Sequence, residues 1–358
     1  VSEAGRAFSR QAERCEFESF YLFDDFAVRF VTNSRALKAE LDAYYRLFSS
    51  TPVDNARVVF GVDGQVPALP DRFEVKTPEP GKKKIKEHLL RLDDGLIVRK
   101  VQTGVHLAYI GDQRICIGPL LANPNQVINF INNIYLDRLL AQNGQLFHAA
   151  GVCRGTMGLG LAGQSGKGKS TLALRLLEAG MDFVSNDRLV VTEAGGAGGP
   201  RLTMHGIPKY PRINPGTIVN QDALLPIASG KDLKRYRALD DDTLWELEEK
   251  YDAIIDDCFD GCQFRLQSPM AIFVLIDWDR KSDLPTTLTR TDPAAVPALI
   301  PAVMKTPGVM LPIASERIPK AAAPDYVDLL SLADLYVLGG GVDFDRAVVL
   351  ISAALDAH

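Results

Sequence analysis

Apolar and polar positions follow two periods along this chain, and the segments they define predict alternating strands and helices. Residues 26–31 alternate with period two, as a half-buried strand does, and residues 57–62 repeat the pattern. Between them residues 34–48 show helical periodicity, with Ser34 placed to cap the N-terminus. Residues 96–101, 106–110 and 114–117 predict a small antiparallel sheet with Asp112 in a turn. Residues 125–141 carry Val127, Ile128, Ile131, Ile134 and Leu139 at the spacing of an amphipathic helix. The segment TPEPGKKKIKEH, residues 77–88, has the composition of a solvated loop. From Gln145 the character changes. Residues 147–153 and 157–162 predict two strands joined at Arg154-Gly155, and residues 169–179 predict a helix closed by Gly180. Further strands are expected at 183–191 and 270–276, the second apolar enough to be central. The glycine-rich residues 194–199 read as a hairpin turn, and residues 344–355 as a C-terminal helix after Gly339-Gly340-Gly341.

The length, 358 residues, favours two domains: an α+β domain over 1–120 and a larger α/β domain with a mixed sheet over 121–358. A net charge of −5 offers no global positive field for nucleic acid. No uninterrupted apolar run reaches membrane-spanning length; the longest candidate, residues 294–313, is broken by Pro297, Pro301, Pro307 and Pro312 and carries Lys305. Neither nucleic acid nor membrane is therefore expected as a partner. Residues 8–17 are too rich in Arg, Gln and Glu for a signal-peptide core. Five cysteines, at 15, 116, 153, 258 and 262, are odd in number and scattered, which suits free thiols in a reducing compartment. Cytoplasmic location is the expectation. Cys258 and Cys262 lack a second ligand pair, so no metal site is expected there.

The chemistry concentrates at Gly163-Gln164-Ser165-Gly166-Lys167-Gly168-Lys169-Ser170, which fits G-x-x-x-x-G-K-[ST] between a predicted strand and a predicted helix. In that setting backbone N–H groups wrap phosphates and the helix N-terminus adds partial positive charge. Lys169 reaches the terminal phosphates, Ser170 offers its hydroxyl to Mg²⁺, and Thr171 follows in the first helical turn. The expected ligands are ATP and Mg²⁺. Asp187, seventeen residues after Ser170, follows an apolar strand and is placed to bind Mg²⁺ or accept a hydroxyl proton. His148 interrupts the apolar stretch FHAAGV; on its own, a satisfied core histidine is the commoner reading. In GIPKYPRINPGT, residues 206–217, three prolines hold Lys209 and Arg212 on a rigid path where they could clamp a phosphoryl group or an anionic acceptor. Lys231, Lys234, Arg235 and Arg237 precede acidic residues 240–242 and read as an exposed helix with internal ion pairs, or as a lid. Trp245 and Tyr251 stand in an acidic segment that suits acceptor binding or an amphipathic helix equally.

His148, the loop at 163–170 and Ser185-Asn186-Asp187 together resemble the HPr kinase/phosphorylase family, whose catalytic domain is similar to phosphoenolpyruvate carboxykinase. Residues 206–217 and 244–252 look like a subgroup described only as HPr kinase-related. The resemblance spans about residues 145–275 and stops short of the family's N-terminal domain. It implies a carboxykinase-like P-loop kinase domain and transfer of the ATP γ-phosphoryl group to a hydroxyl. It also implies site roles for His148, Asn186 and Asp187. Three positions depart from the family pattern. Asn186 replaces the aspartate assigned the base role, Thr171 replaces a glutamate, and residues 206–217 replace the segment tied to phosphorolysis. HPr as acceptor and the back-reaction therefore do not carry over.

A kinase acting on a serine of a protein or peptide, or on a small-molecule hydroxyl, is the leading reading. The alternative is a nucleotide-dependent switch that transfers phosphate to no acceptor, which Asn186 favours. A decarboxylating carboxykinase is disfavoured by the chain length. Residues 1–120 carry no catalytic constellation, which leaves substrate recruitment or homo-oligomer contact as their roles.

Overall fold

The computed structural model describes residues 2–77, 84–195, 201–240, 243–244, 247, 249–308 and 322–358. The chain divides into two compact units, one built on Val1–Arg138 and the other on Leu139–Thr306 with the C-terminal part of the chain.

The first unit holds strands β1 Phe17–Phe23, β2 Phe26–Thr32, β3 Arg57–Asp63, β4 Glu74–Val75, β5 Glu87–Leu92, β6 Gly95–Lys100, β7 His106–Ile110 and β8 Gln113–Gly118. They form one sheet in the order β1-β2-β3-β8-β7-β6-β5-β4. The β2–β3 and β3–β8 pairs are parallel and the others antiparallel. The small antiparallel sheet expected at 96–117 is thus the middle of a larger mixed one. Four elements of this unit went unread in the sequence: α1, Glu3–Ala12, and strands β1, β4 and β5; Glu87 and His88, expected in a solvated loop, open β5. Helix α1 is capped by Ser2 Oγ, which accepts from Gly5 N, and buries Ala4, Phe8 and Ala12 at four-residue spacing against Ile97, Ile115 and Ile117. Helix α2, Arg35–Tyr44, starts as expected: Ser34 Oγ accepts from Leu37 N. The division between units falls within α3, Pro124–Ala141. The early part of that helix is anchored in the first unit: Phe130 meets Tyr109 edge-on, and Tyr45 Oη donates to Asn132 Oδ1 at 2.9 Å.

The second unit carries β9 Gln145–Phe147, β10 Ala149–Arg154, β11 Met157–Gly163, β12 Asp182–Ser185, β13 Leu189–Ala194, β14 Arg201–His205, β15 Arg212–Ile213, β16 Tyr251–Asp252, β17 Gln267–Ile276, β18 Thr287–Thr291 and β19 Asp334–Gly339. All except β15 and β16, which pair with each other, join one mixed sheet. As expected, β17 is central. It pairs parallel to β11 along one edge; along the other it pairs antiparallel to β14 with its first half and parallel to β19 with its second. Its residues Met270, Phe273 and Leu275, separated by a register shift after Met270, join Phe147, Val184, Leu189 and Tyr326 in the core. The helices are α4 Lys169–Glu178, α5 Pro215–Val219, α6 Gly230–Arg237, a short turn Ile255–Cys258, Ala323–Leu330 and Phe344–Asp356. Both units are mixed α/β.

Two expected strands are each two strands. The stretch 147–153 breaks at His148, where the chain leaves β13 as partner of β9 and takes β11 and β12 as partners of β10. The stretch 183–191 breaks at residues 186–188, between β12 and β13. In both places a polar residue interrupts an apolar run at the point where the strand changes neighbours. Parts of three expected segments, residues 78–83, 196–199 and 309–313, lie outside the described residues, as do Asp241, Asp242 and Trp245. Among the described residues no helix is long and apolar enough to cross a membrane.

Candidate functional site

The loop expected to hold phosphates sits between β11 and α4, leaving the sheet at the carboxyl end of two parallel strands. Gly166 and Gly168 adopt φ of +85° and +80°, a region closed to most side chains, and Gly168 is the N-cap of α4. A glycine cap offers no side-chain acceptor, and none is found there, so the first-turn N–H groups of α4 keep their capacity for an anion. Lys167 N donates to Gln164 O at 3.1 Å, which tightens the loop into a turn. Lys167 Nζ donates to Trp278 O at 2.7 Å, and Trp278 Nε1 donates to Lys167 O at 2.8 Å. This reciprocal clasp ties the loop to the segment after β17. It holds the Lys167 ammonium at the Trp278 carbonyl, while Lys167 itself lines the cleft beside the loop. Phe344 packs edge-on against Trp278 and would meet a Cβ at Gly168 at 3.0 Å, so the loop has a firm apolar backing.

Lys169 is nearly buried, with 10% of its side chain exposed. Its ammonium donates to Asn186 O at 2.6 Å and lies 3.9 Å from Asp187 Oδ1. Burial lowers its pKa to about 8; Asp187 pulls it back up and Lys305 pushes it further down. Asp187 is half-exposed and bound on three sides. His148 Nε2 is 3.1 Å from Oδ1, and Lys305 Nζ donates to Oδ2 at 2.6 Å and to the Asp187 carbonyl at 3.2 Å. Burial raises this carboxyl, but the His148 hydrogen bond and the two lysines outweigh it and hold the group far below the usual carboxylate range.

Local structure explains these positions. The break between β12 and β13 turns Asn186 and Asp187 out of the sheet beside the loop. The break at His148 is held by its own N–H, which donates to Val303 O at 2.7 Å. The segment bearing Lys305 is stitched to the same strand: Phe147 bridges to Met304, and Tyr326 Oη donates to Leu146 O at 2.8 Å while accepting from Lys305 N at 3.1 Å. His148, Lys169, Asn186 and Asp187 are therefore brought together as expected. Lys305 was missed, since its proline-rich surroundings carry no motif and only folding brings it to Asp187.

Arg212 stands on β15 with its Nε 3.3 Å from Asp252 Oδ1 on β16, both half-exposed. Asp252 is raised by burial, against the pull of Arg212 and Lys209. Thr171 Oγ1 lies 3.2 Å from Thr217 Oγ1, and both face a cleft of about 820 Å³. Ser165, Gly166, Arg280 and Phe344 also line that cleft, whereas Lys169 and Asp187 do not. Arg235 of α6 is engaged by Glu249 at 2.6 Å and Asp232 at 3.4 Å. All five cysteines are free.

The residues fit a nucleotide and Mg²⁺. Ser170 and Asp187 supply hard oxygen donors, and Asn186 Oδ1 is buried without a hydrogen-bond partner. An orphaned buried acceptor is costly, and a cation's hydration shell is a suitable donor to it. Among the described residues no three His, Cys, Asp or Glu side chains converge into a metal cage. Mg²⁺ held largely by phosphates and water needs no such cage.

No protein-family model matches the chain, and no curated protein does. Among solved structures, the Hpr(Ser) kinase/phosphatase from Coxiella burnetii aligns over 59% of this chain and 90% of its own, with 10% identity and a TM-score of 0.29. A TM-score that low does not establish a common fold, and the chemistry of the site rests on its own residues.

Proposed function

We propose that this protein is an ATP- and Mg²⁺-dependent phosphotransferase that moves the γ-phosphoryl group to a hydroxyl acceptor. The observation that carries the reading is the Lys169–Asp187–His148 constellation at the phosphate loop: 3.9 Å from Lys169 to Asp187 and 3.1 Å from His148 to the same oxygen. A phosphate loop alone serves motors and switches as well. A carboxylate and an imidazole placed together beside it supply what an acceptor hydroxyl needs.

The loop amides and the α4 N-terminus hold the phosphates, and Lys169 stabilises charge on the transferring group. Ser170 and Asp187 would hold Mg²⁺, which would neutralise phosphate charge when bound. Asp187, ringed by cations, is a poor proton acceptor and a good orienting group. By accepting the Nε2–H of His148 it fixes the tautomer whose Nδ1 takes the hydroxyl proton. Asn186 has no base role, since an amide cannot take a proton. The acceptor oxygen then bonds to the γ-phosphorus as the bond to ADP breaks. By resemblance the acceptor is a serine of a protein or peptide; a small polyol, sugar or amino acid hydroxyl is the other candidate.

The second reading, a nucleotide-dependent switch, draws on Asn186, an amide in place of a carboxylate. Incubation with γ-labelled ATP, Mg²⁺ and an acceptor panel separates the two. Label in an acceptor supports the kinase. Tight ATP binding with label only in ATP and inorganic phosphate supports the switch.

A further inference from the structure

We propose that the cleft beside the loop receives the nucleoside of the phosphoryl donor, its base on the ring of Phe344 and its ribose on the wall formed by Thr171, Asn214 and Thr217. The proposal rests on the kinase reading and assigns the second half of the donor for that same site.

The two ends of the nucleotide are told apart by what flanks the loop. At one end Lys169 Nζ donates to Asn186 O at 2.6 Å and lies 3.9 Å from Asp187 Oδ1, to which His148 is also joined. The transferring γ-phosphoryl group belongs at that lysine. At the other end Ser165, Gly166, Gly168 and Thr171 border the cleft of about 820 Å³, whereas Lys169, Asp187 and His148 do not. A triphosphate wrapped by the loop with its γ end at Lys169 brings its α end, which bears the ribose, out toward the cleft. The acceptor has no place there, because its hydroxyl must reach His148 and Asp187. The volume is that of a small-molecule site.

The walls of the cleft match the two parts of a nucleoside. One wall is aromatic. Phe344 opens the C-terminal helix Phe344–Asp356, whose N-cap Asp343 accepts from Arg346 N at 2.9 Å. One side of its ring is fixed: Trp278 meets it edge-on with centroids 5.0 Å apart, and a Cβ at Gly168 would stand 3.0 Å from it. The ring is half-buried, and with Val342 it lines the cleft. A fixed ring with an accessible surface offers stacking to a base and loses little freedom on binding it. The other wall is polar. Thr171 Oγ1 of α4 lies 3.2 Å from Thr217 Oγ1 of α5, and Arg175 of α4 donates to Asn220 O at 2.5 Å, so the two helices hold this wall together. Asn214 lines it as well; it precedes α5, yet its side chain makes no capping hydrogen bond. Two hydroxyls and an amide both donate and accept hydrogen bonds, as ribose hydroxyls require. Bonds to the sugar from this wall leave the base on Phe344.

The test compares ATP with inorganic tripolyphosphate, which fills the loop but brings no nucleoside. Both are titrated into the full chain with Mg²⁺ by isothermal titration calorimetry. ATP should bind about tenfold more tightly or better, the worth of one stacked base. Phe344→Leu, which keeps an apolar side chain against Trp278 and Gly168, should weaken ATP about tenfold and leave tripolyphosphate within about twofold. Asn214→Ala, on the opposite wall and outside the loop, should weaken ATP about fivefold with tripolyphosphate again unchanged. Equal affinity for ATP and tripolyphosphate in the parent would overturn the proposal, as would ATP affinity indifferent to both substitutions. Substitutions that weaken tripolyphosphate as much as ATP would overturn it too, since they would mark both residues as supports of the loop. If neither ligand binds, the kinase reading falls, and the proposal with it; if both bind alike, the proposal fails alone.

Discussion

Each unit of this protein holds a carboxylate between two lysines, and the two arrangements serve different ends. In the first unit Glu87 on β5 accepts from Lys100 at 2.6 Å and Lys76 at 2.9 Å. Its side chain is only 10% exposed, the lysines lie on or beside neighbouring strands, and the charges close on one another. In the second unit Asp187 accepts from Lys305 at 2.6 Å and has Lys169 at 3.9 Å, yet it is 52% exposed. It also faces His148 and stands in a break between strands, beside helix N–H groups with no cap. Glu87 is a completed ion cluster inside a sheet. Asp187 has three partners and still keeps about half of its side chain exposed. Composition does not separate the two; exposure does.

The contrast is tested most severely at Lys169. If the Asp187 cluster is catalytic, Lys169→Ala should lower phosphoryl transfer on the order of a hundredfold or more, because charge stabilisation supplies much of the rate. Transfer at the parent rate would make the Asp187 cluster as structural as that of Glu87. Asp187→Asn should fall in the same range, and an unchanged Tm would place the loss in the chemistry. Lys305→Ala is expected to cost about tenfold in kcat, the worth of a charge-assisted hydrogen bond. A Tm shift with an intact rate would instead assign Lys305 to the fold.

The same cluster predicts a pH effect of definite sign. In the free protein the Lys169 ammonium loses its proton with a pKa of about 8, lowered first by burial and then by Lys305, and raised by Asp187. Polyphosphate favours the charged form, so binding above pH 8 must first take up a proton. ATP affinity should hold up to pH 7 and fall about tenfold by pH 9. Isothermal titration calorimetry in buffers of different ionisation heat reads both the affinity and the proton uptake. Affinity that is flat across this range, with no proton taken up, would contradict the link between Lys169 and the nucleotide.

How much of this was legible in the sequence follows from which contacts are local. The loop announces itself because strand, glycines, lysine and helix are contiguous, and Asp187 because it follows the apolar start of the next strand. His148 stood out as a polar residue in an apolar stretch, but its partner is thirty-nine residues away. Lys305, 118 residues from Asp187, had no local signature at all. The fold divides the same way. Helix α2 with its Ser34 cap and the apolar β17 were readable, whereas the breaks at His148 and at 186–188 were not. Those breaks come from a change of strand partner, and partner choice is a property of the whole sheet. Helix α1 escaped notice because its charged residues mask Ala4, Phe8 and Ala12, a stripe one residue wide.

Glu87 supplies the smallest effect and the control for the rest. Burial raises its carboxyl, and Lys100 and Lys76 outweigh burial and leave its pKa lowered. A carboxylate lowered in the folded state contributes stability above its unfolded pKa near 4.3, and that contribution is lost as pH falls through the folded value. Glu87→Gln removes the charge at every pH and leaves two lysines without their partner, at a cost of about 1–2 kcal/mol near neutrality. Urea titrations at pH 7 and pH 4 should show the gap between variant and parent narrowing at the lower pH, where the carboxylate of the unfolded parent begins to protonate. Transfer rate per folded molecule should be unchanged. A matching loss of rate would mean that the Glu87 cluster, too, bears on catalysis, and the distinction drawn between a closed and an open carboxylate would fail.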